Sequence, residues 1–216
     1  VNLISLLRVV ASFSWLAVIG AIAFVVARAA RGQRAAGGVG LITTVVIVTV
    51  ILNVLSAGLE FIEPTERGVV VSAVPGAQGV RPEALQPGLN WVVPFFDRVV
   101  KYPISRQTYT MSIAPDESTV IRSDDSVEAR TADGQVVFVD ASIIFALDPT
   151  EVINTHIRWE NAYIDGLVRP LARGVIRDNV SAFGVEEVYS AQRAALTENI
   201  RVELERRFNA EGLLLI

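Results

Sequence analysis

Residues 39–59, VGLITTVVIVTVILNVLSAGL, run for twenty-one positions without a charge. As an α-helix this stretch is about 31 Å long, enough to cross the hydrocarbon core of a bilayer. Residues 9–27 are also uncharged, and their helix would be about 28 Å long. The competing reading of this first run is a cleavable secretory signal, led by Arg8 with a site at Ala27-Arg28-Ala29. Because these residues are present in the chain, a retained span is expected. The composition agrees with two spans and one extramembrane domain: 51% of the 216 residues are hydrophobic and the mean hydropathy is +0.44.

Charge sets the orientation. The link RAARGQRAAGG carries Arg28, Arg31 and Arg34 and no acid, which places it in the cytoplasm. The far flank, with Glu60, Glu63, Glu66 and Arg67, supports the same sense. The N-terminus and residues 60–216 then lie on the extracytoplasmic side. The 157 residues from Glu60 onward hold 15 basic and 23 acidic side chains, a poor composition for binding nucleic acid. Lysine occurs once, at Lys101, against eighteen arginines, a bias that fits a GC-rich bacterial genome; with the two spans, the expected location is a bacterial plasma membrane. Starting on Val1 and stopping inside the apolar run GLLLI, the sequence reads as part of a longer protein.

Within the spans, Thr49, Asn53 and Ser56 share one helical face. Facing lipid they would be unsatisfied, so this polar face is expected against the first span or a neighbouring chain. Ala17/Ala21 and Ala23/Ala27 give the small-residue spacing that allows close helix approach. Gly32 and Gly37 do not form a phosphate loop, because Gly38-Val39 stand where Lys-Ser/Thr is needed.

After Glu60 the periodicity becomes that of strands. Residues 68–74 are rich in β-branched side chains and stop at Pro75-Gly76. Gln86-Pro87-Gly88 turns the chain into LNWVVPFFDRVVKYP, an extended segment. Asp133-Gly134 predicts a tight turn between residues 127–131 and one long strand over 135–147, whose odd positions from Val137 to Leu147 are all apolar. Helical periodicity follows. Asp148 is expected to cap a helix over 149–159, and Gly184 to close one over 160–183 that Pro170 kinks or divides. A last helix over 190–209 has Leu196, Ile200, Leu204 and Phe208 on one seam. Strands followed by helices define an α+β domain.

Few residues carry chemistry. The chain has no cysteine, which excludes disulfides, thiolate metal sites and cysteine nucleophiles. His156 is the only histidine and is expected to be structural; a hydrolase built on serine and His156 is the competing reading. Asp116-Glu117, Asp124-Asp125 and Glu186-Glu187 lack the spacing and turn glycine of a Ca²⁺ loop. The sequence predicts no catalytic residue, cofactor or metal.

Two surfaces stand out instead. Trp91, Val92, Val93, Phe95 and Phe96, flanked by Asn90 and Asp97-Arg98, suit a bilayer interface, with core packing as the alternative. Arg193, Glu198, Arg201, Glu205, Arg206 and Arg207 surround the seam of the last helix and suit side-by-side contact between copies.

Four stretches, in order, carry a family resemblance: FIEPTERGVVV, PGLNWVVPFFDRVVKYPIS, ARTADGQVVFVDASIIFALDP, and the helical region from VRPLARGVIRDNVSAF to the end. Residues 60–216 resemble the SPFH (band 7) domain of stomatins, prohibitins, flotillins and Hfl-type bacterial membrane proteins. The resemblance implies small mixed or antiparallel sheets packed with helices, divided here into 60–117, with a membrane-contacting tip, and 118–216. It also implies a non-enzymatic scaffold that forms large homo-oligomeric rings or cages and organises a membrane microdomain. Alternatively, such a protein encloses or restrains an AAA protease of the FtsH type. The family normally continues into a coiled-coil helix. Two spans instead of one is a departure from the family pattern.

Overall fold

The computed structural model describes residues 3–31, 38–73, 79–112, 126–190 and 192–216. Arg34, the Gly32/Gly37 pair, the Pro75-Gly76 turn, Asp116-Glu117, Asp124-Asp125 and the 117/118 division lie outside the described residues.

Two long helices come first, α1 (Leu3–Ala30) and α2 (Gly38–Ala57). Both are long and apolar enough to cross a membrane. They pair along a seam of buried and half-buried positions: Leu7, Ala11, Ser14, Val18, Ala21 and Val25 against Gly38, Ile42, Val45, Thr49, Leu52 and Ser56. The steps alternate four and three, the 3.5-residue repeat of a left-handed helix pair. The polar face of α2 therefore meets α1. Asn53 Nδ2 donates to Ala11 O at 3.1 Å and Ser14 Oγ at 3.3 Å, and Thr49 Oγ1 donates to Ser14 O at 3.4 Å. Of the expected small-residue pairs only Ala21 reaches the seam; Ala17, Ala23 and Ala27 face outward. The second helix stops at Ala57, two residues short of the apolar run, because Leu59 already belongs to a strand.

That strand is β1 (Leu59–Ile62), which pairs antiparallel with β3 (Gly88–Trp91). β2 (Glu66–Ser72) pairs with β4 (Asp97–Pro103), and residues 79–85 run along the other edge of β2 through bridges at Gly68–Leu85 and Val71–Val80. The extended segment expected from Leu89 to Pro103 is thus two strands joined by a turn. β5 (Gln107–Met111) lies beside β8 (Ala141–Leu147), whose other edge takes β9 (Leu213–Leu215). β6 (Val127–Arg130) and β7 (Val136–Val139) form the expected hairpin, with Gly134 at φ 80° in its turn.

The single strand expected over 135–147 breaks at Asp140, a poor strand former, into β7 and β8. The odd positions keep their inward bias across the break, so alternation alone does not reveal it. Three further expectations change at the helices. Asp148 accepts from the Thr150 backbone N–H at 2.8 Å and the Thr150 hydroxyl at 2.7 Å, so it caps a turn, and α3 begins later (Val152–Trp159). The region 160–183 comprises a 3₁₀ turn (Glu160–Ala162), a wide π turn (Ile164–Val168) and α4 (Arg169–Val180). The Arg169 N–H reaches back five residues to Ile164 O, and this wider turn accommodates Pro170 at the start of α4. Gly184 has extended backbone and opens α5 (Val185–Tyr189) rather than closing α4.

The last helix, α6 (Arg193–Ala210), lies on α4 and β9 and buries Leu196, Leu204 and Phe208. One continuous core runs from Val69 and Tyr102 through the sheets to these helices. Phe208 meets Phe145 edge-on at a centroid distance of 6.2 Å. Phe208→Ala should therefore cost about 3–5 kcal/mol, measurable as a lowered unfolding midpoint in mild detergent.

Candidate membrane-contact surface

The β1–β3 register decides which side chains share a face. Leu59 lies opposite Trp91 and Phe61 opposite Leu89; Glu60 opposite Asn90 makes up the other face. The first face is apolar and open: Phe61, Leu89 and Trp91 are 46%, 49% and 46% exposed. The ribbon starts one residue after α2 ends. Gly58 joins them, its carbonyl accepting from Val92 N at 2.8 Å. A Cβ at Gly58 would lie 2.4 Å from Val92 O and 2.5 Å from Trp91 Nε1, so only glycine allows the indole to lie against the end of the helix. Arg8 on α1 donates to Leu59 O at 3.4 Å, holding the first helix to the same point. On the opposite face Glu60 pairs with Lys101 at 2.8 Å. An apolar face continuous with a membrane-length helix, backed by charge, has the polarity of a surface lying at a bilayer boundary.

The turn between β3 and β4 extends this face. Phe95 is 95% exposed and Phe96 53% exposed, while Val93 is half-buried and Val92 only 7% exposed. Of the five residues expected at the interface, Trp91, Phe95 and Phe96 are brought to the surface together and Val92 points into the protein. Phe61 and Leu89 belong to the same face but escape a reading along the chain. Their signal is the cross-strand register, which local alternation does not contain.

Phe95 has φ 71°, a left-handed backbone costing a bulky side chain about 1–2 kcal/mol. The turn is held by Asp97, whose side chain is fully buried. Asp97 Oδ1 accepts from Ser72 Oγ at 2.5 Å; Oδ2 accepts from Arg81 at 2.5 Å and from Val93 N at 2.9 Å. Asp97 N donates to Val93 O at 3.0 Å and Ala73 N to Phe96 O at 2.8 Å. Burial pushes the Asp97 carboxyl upward, but Ser72, the Val93 N–H and Arg81 together outweigh it and leave it below the ordinary carboxylate range.

The other expected residues lie elsewhere. His156 is buried, its Nδ1 2.6 Å from the Tyr102 hydroxyl, and Tyr163 donates to Gln107 Oε1 at 3.0 Å nearby. Burial, then Glu160 and Tyr163, push the Tyr102 phenol up to about 12. Glu187 accepts from Gly184 N at 2.8 Å and so caps α5. Among the described residues no group of three His, Asp or Glu side chains is arranged to hold a metal. On α6 the charged flank pairs within its own helix: Arg201 with Glu198 and Glu205, and Arg206 and Arg207 with Glu203. Arg207 also reaches Asp178 on α4 at 3.6 Å. Glu203 is held down to about 2 by Arg206 and then Arg207.

An α+β domain of small antiparallel sheets and helices, joined without a linker to two membrane-length helices, defines a membrane-associated protein. The chain belongs to the SPFH domain / Band 7 family, whose model matches residues 60–216. Membership gives it a membrane scaffold-type role in general, in a family that is generally non-enzymatic. A comparison with proteins of curated function found no match.

The Asp97 cluster has a pH signature. Its folded pKa lies below the unfolded value near 3.8, so its stabilisation is complete above that value and is lost as pH falls through the lower folded one. The gap in thermal stability between the parent and Asp97→Asn should be widest near neutrality and close only below about pH 3.8.

Proposed function

We propose that this protein is a non-enzymatic scaffold of the bacterial inner membrane that assembles laterally into a large homo-oligomeric ring or cage and organises a membrane microdomain. The observation that carries this reading is the open apolar face of the β1–β3 ribbon, continuous with the end of α2. It seats the SPFH domain on the bilayer, so that copies meet side by side in one plane. Closed rings need only weak contacts, because each later contact forms at high effective concentration. The charged flank of α6, with Arg193, Glu198, Arg201, Glu205, Arg206 and Arg207, supplies such contacts by exchanging some intrahelical pairs for pairs between copies, each contributing about 0.2–1 kcal/mol. The domain lies on the extracytoplasmic side, supported by Arg28 and Arg31 at the far ends of the helices. The alternative reading, on family likeness, is a regulatory partner that encloses or restrains a membrane AAA protease of the FtsH type.

Three experiments test this. In mild detergent the full-length protein should sediment as a large particle and show rings in electron micrographs; a monomer defeats the scaffold. Reversing charge at Arg206 and Arg207 together should shrink the particle in low salt without altering circular dichroism. Since the sequence has no cysteine, Ser181→Cys gives one exposed thiol in the domain. It should react with a membrane-impermeant reagent on intact spheroplasts; reaction only after lysis would reverse the topology.

A further inference from the structure

We infer that Asp97 is a positioning residue that holds the Val92–Phe96 turn set for insertion into a lipid bilayer, with Phe95 as its wedge. The inference rests on the seating of the β1–β3 ribbon at the membrane. Phe95 combines a left-handed backbone with an almost wholly exposed aromatic ring. Neither feature gains anything from the rest of the domain, since the ring is 95% exposed and the conformation disfavours a bulky side chain.

What holds the residue there is the surrounding turn. The Asp97 carboxylate is fully shielded and receives three donors from three different segments: Ser72 at the end of β2, Arg81 on the segment bridging β2, and the Val93 N–H inside the turn itself. Two backbone bonds, Asp97 N to Val93 O and Ala73 N to Phe96 O, close the loop around it. A turn fixed at this many points is ordered before it meets a partner, so insertion requires little further ordering. The partner is a bilayer rather than a protein pocket because the same surface continues through Trp91, Leu89 and Phe61 to the end of α2. An aromatic ring beside the end of a membrane-length helix meets the boundary of headgroup and acyl chain.

Asp97→Asn keeps the shape but presents an amide to three donors. The chain has no cysteine, so the full-length protein can carry one nitroxide label at Leu89→Cys, on the ribbon, or at Phe95→Cys, on the turn. The protein is reconstituted in phosphatidylcholine vesicles, and label depth is read from the ratio of oxygen to nickel-chelate accessibility. In the parent both labels should lie in the bilayer. With Asp97→Asn the label at position 95 should move to water while that at 89 keeps its depth. Arg81→Gln leaves two donors on the carboxylate and should shift position 95 in the same direction by a smaller amount; it decides the matter if Asp97→Asn does not fold. An unchanged depth at position 95 in the folded variants overturns the positioning role. A label at 89 that is in water in the parent overturns the ribbon's seating itself, which separates the two failures.

Discussion

The chain is organised by the antiparallel pairing of β1 with β3 at the point where α2 ends. A transmembrane helix satisfies its own backbone groups, but its last turn leaves carbonyls without partners. Here the chain goes straight into a strand ladder, and Gly58 O takes the first inter-strand donor, Val92 N. Glycine is required because the Trp91 indole and the Val92 carbonyl occupy the space a side chain would need. From this junction follow the placement of the aromatic turn, the orientation of the ribbon face and the anchoring of β2 and β4 behind it.

Beyond the ribbon, the protein becomes an ordinary packed core with one polar joint. Tyr102, near the end of β4, reaches His156 on α3, so the strands nearest the helices and the helical body are joined by a buried hydrogen bond as well as by apolar contact. The single histidine thus has a structural use. The charge on α6 is likewise largely satisfied within its helix, which turns an apparently highly charged surface into a set of short local pairs.

The legible parts of the sequence were those governed by local physics. Uncharged runs of helix length marked α1 and α2, Asp133-Gly134 marked the β6–β7 turn, and the four-residue steps of Leu196, Ile200, Leu204 and Phe208 marked the buried face of α6. What failed locally was decided at longer range. Asp148 had two competing backbone uses, and the nearer turn won. Pro170 was accommodated by a wider turn, which no propensity scale reveals. At the candidate site, the aromatic cluster was visible as composition, but Phe61 and Leu89 joined it only through strand pairing, and Val92 left it by the alternation of the same strand.

The junction at Gly58 also has a mechanical meaning. Only one residue separates the last turn of α2 from β1, and the glycine is wedged between backbone and indole. No slack exists there to absorb rotation. One wedged residue therefore ties the direction of β1 to that of α2, so the strand ribbon turns wherever the helix turns.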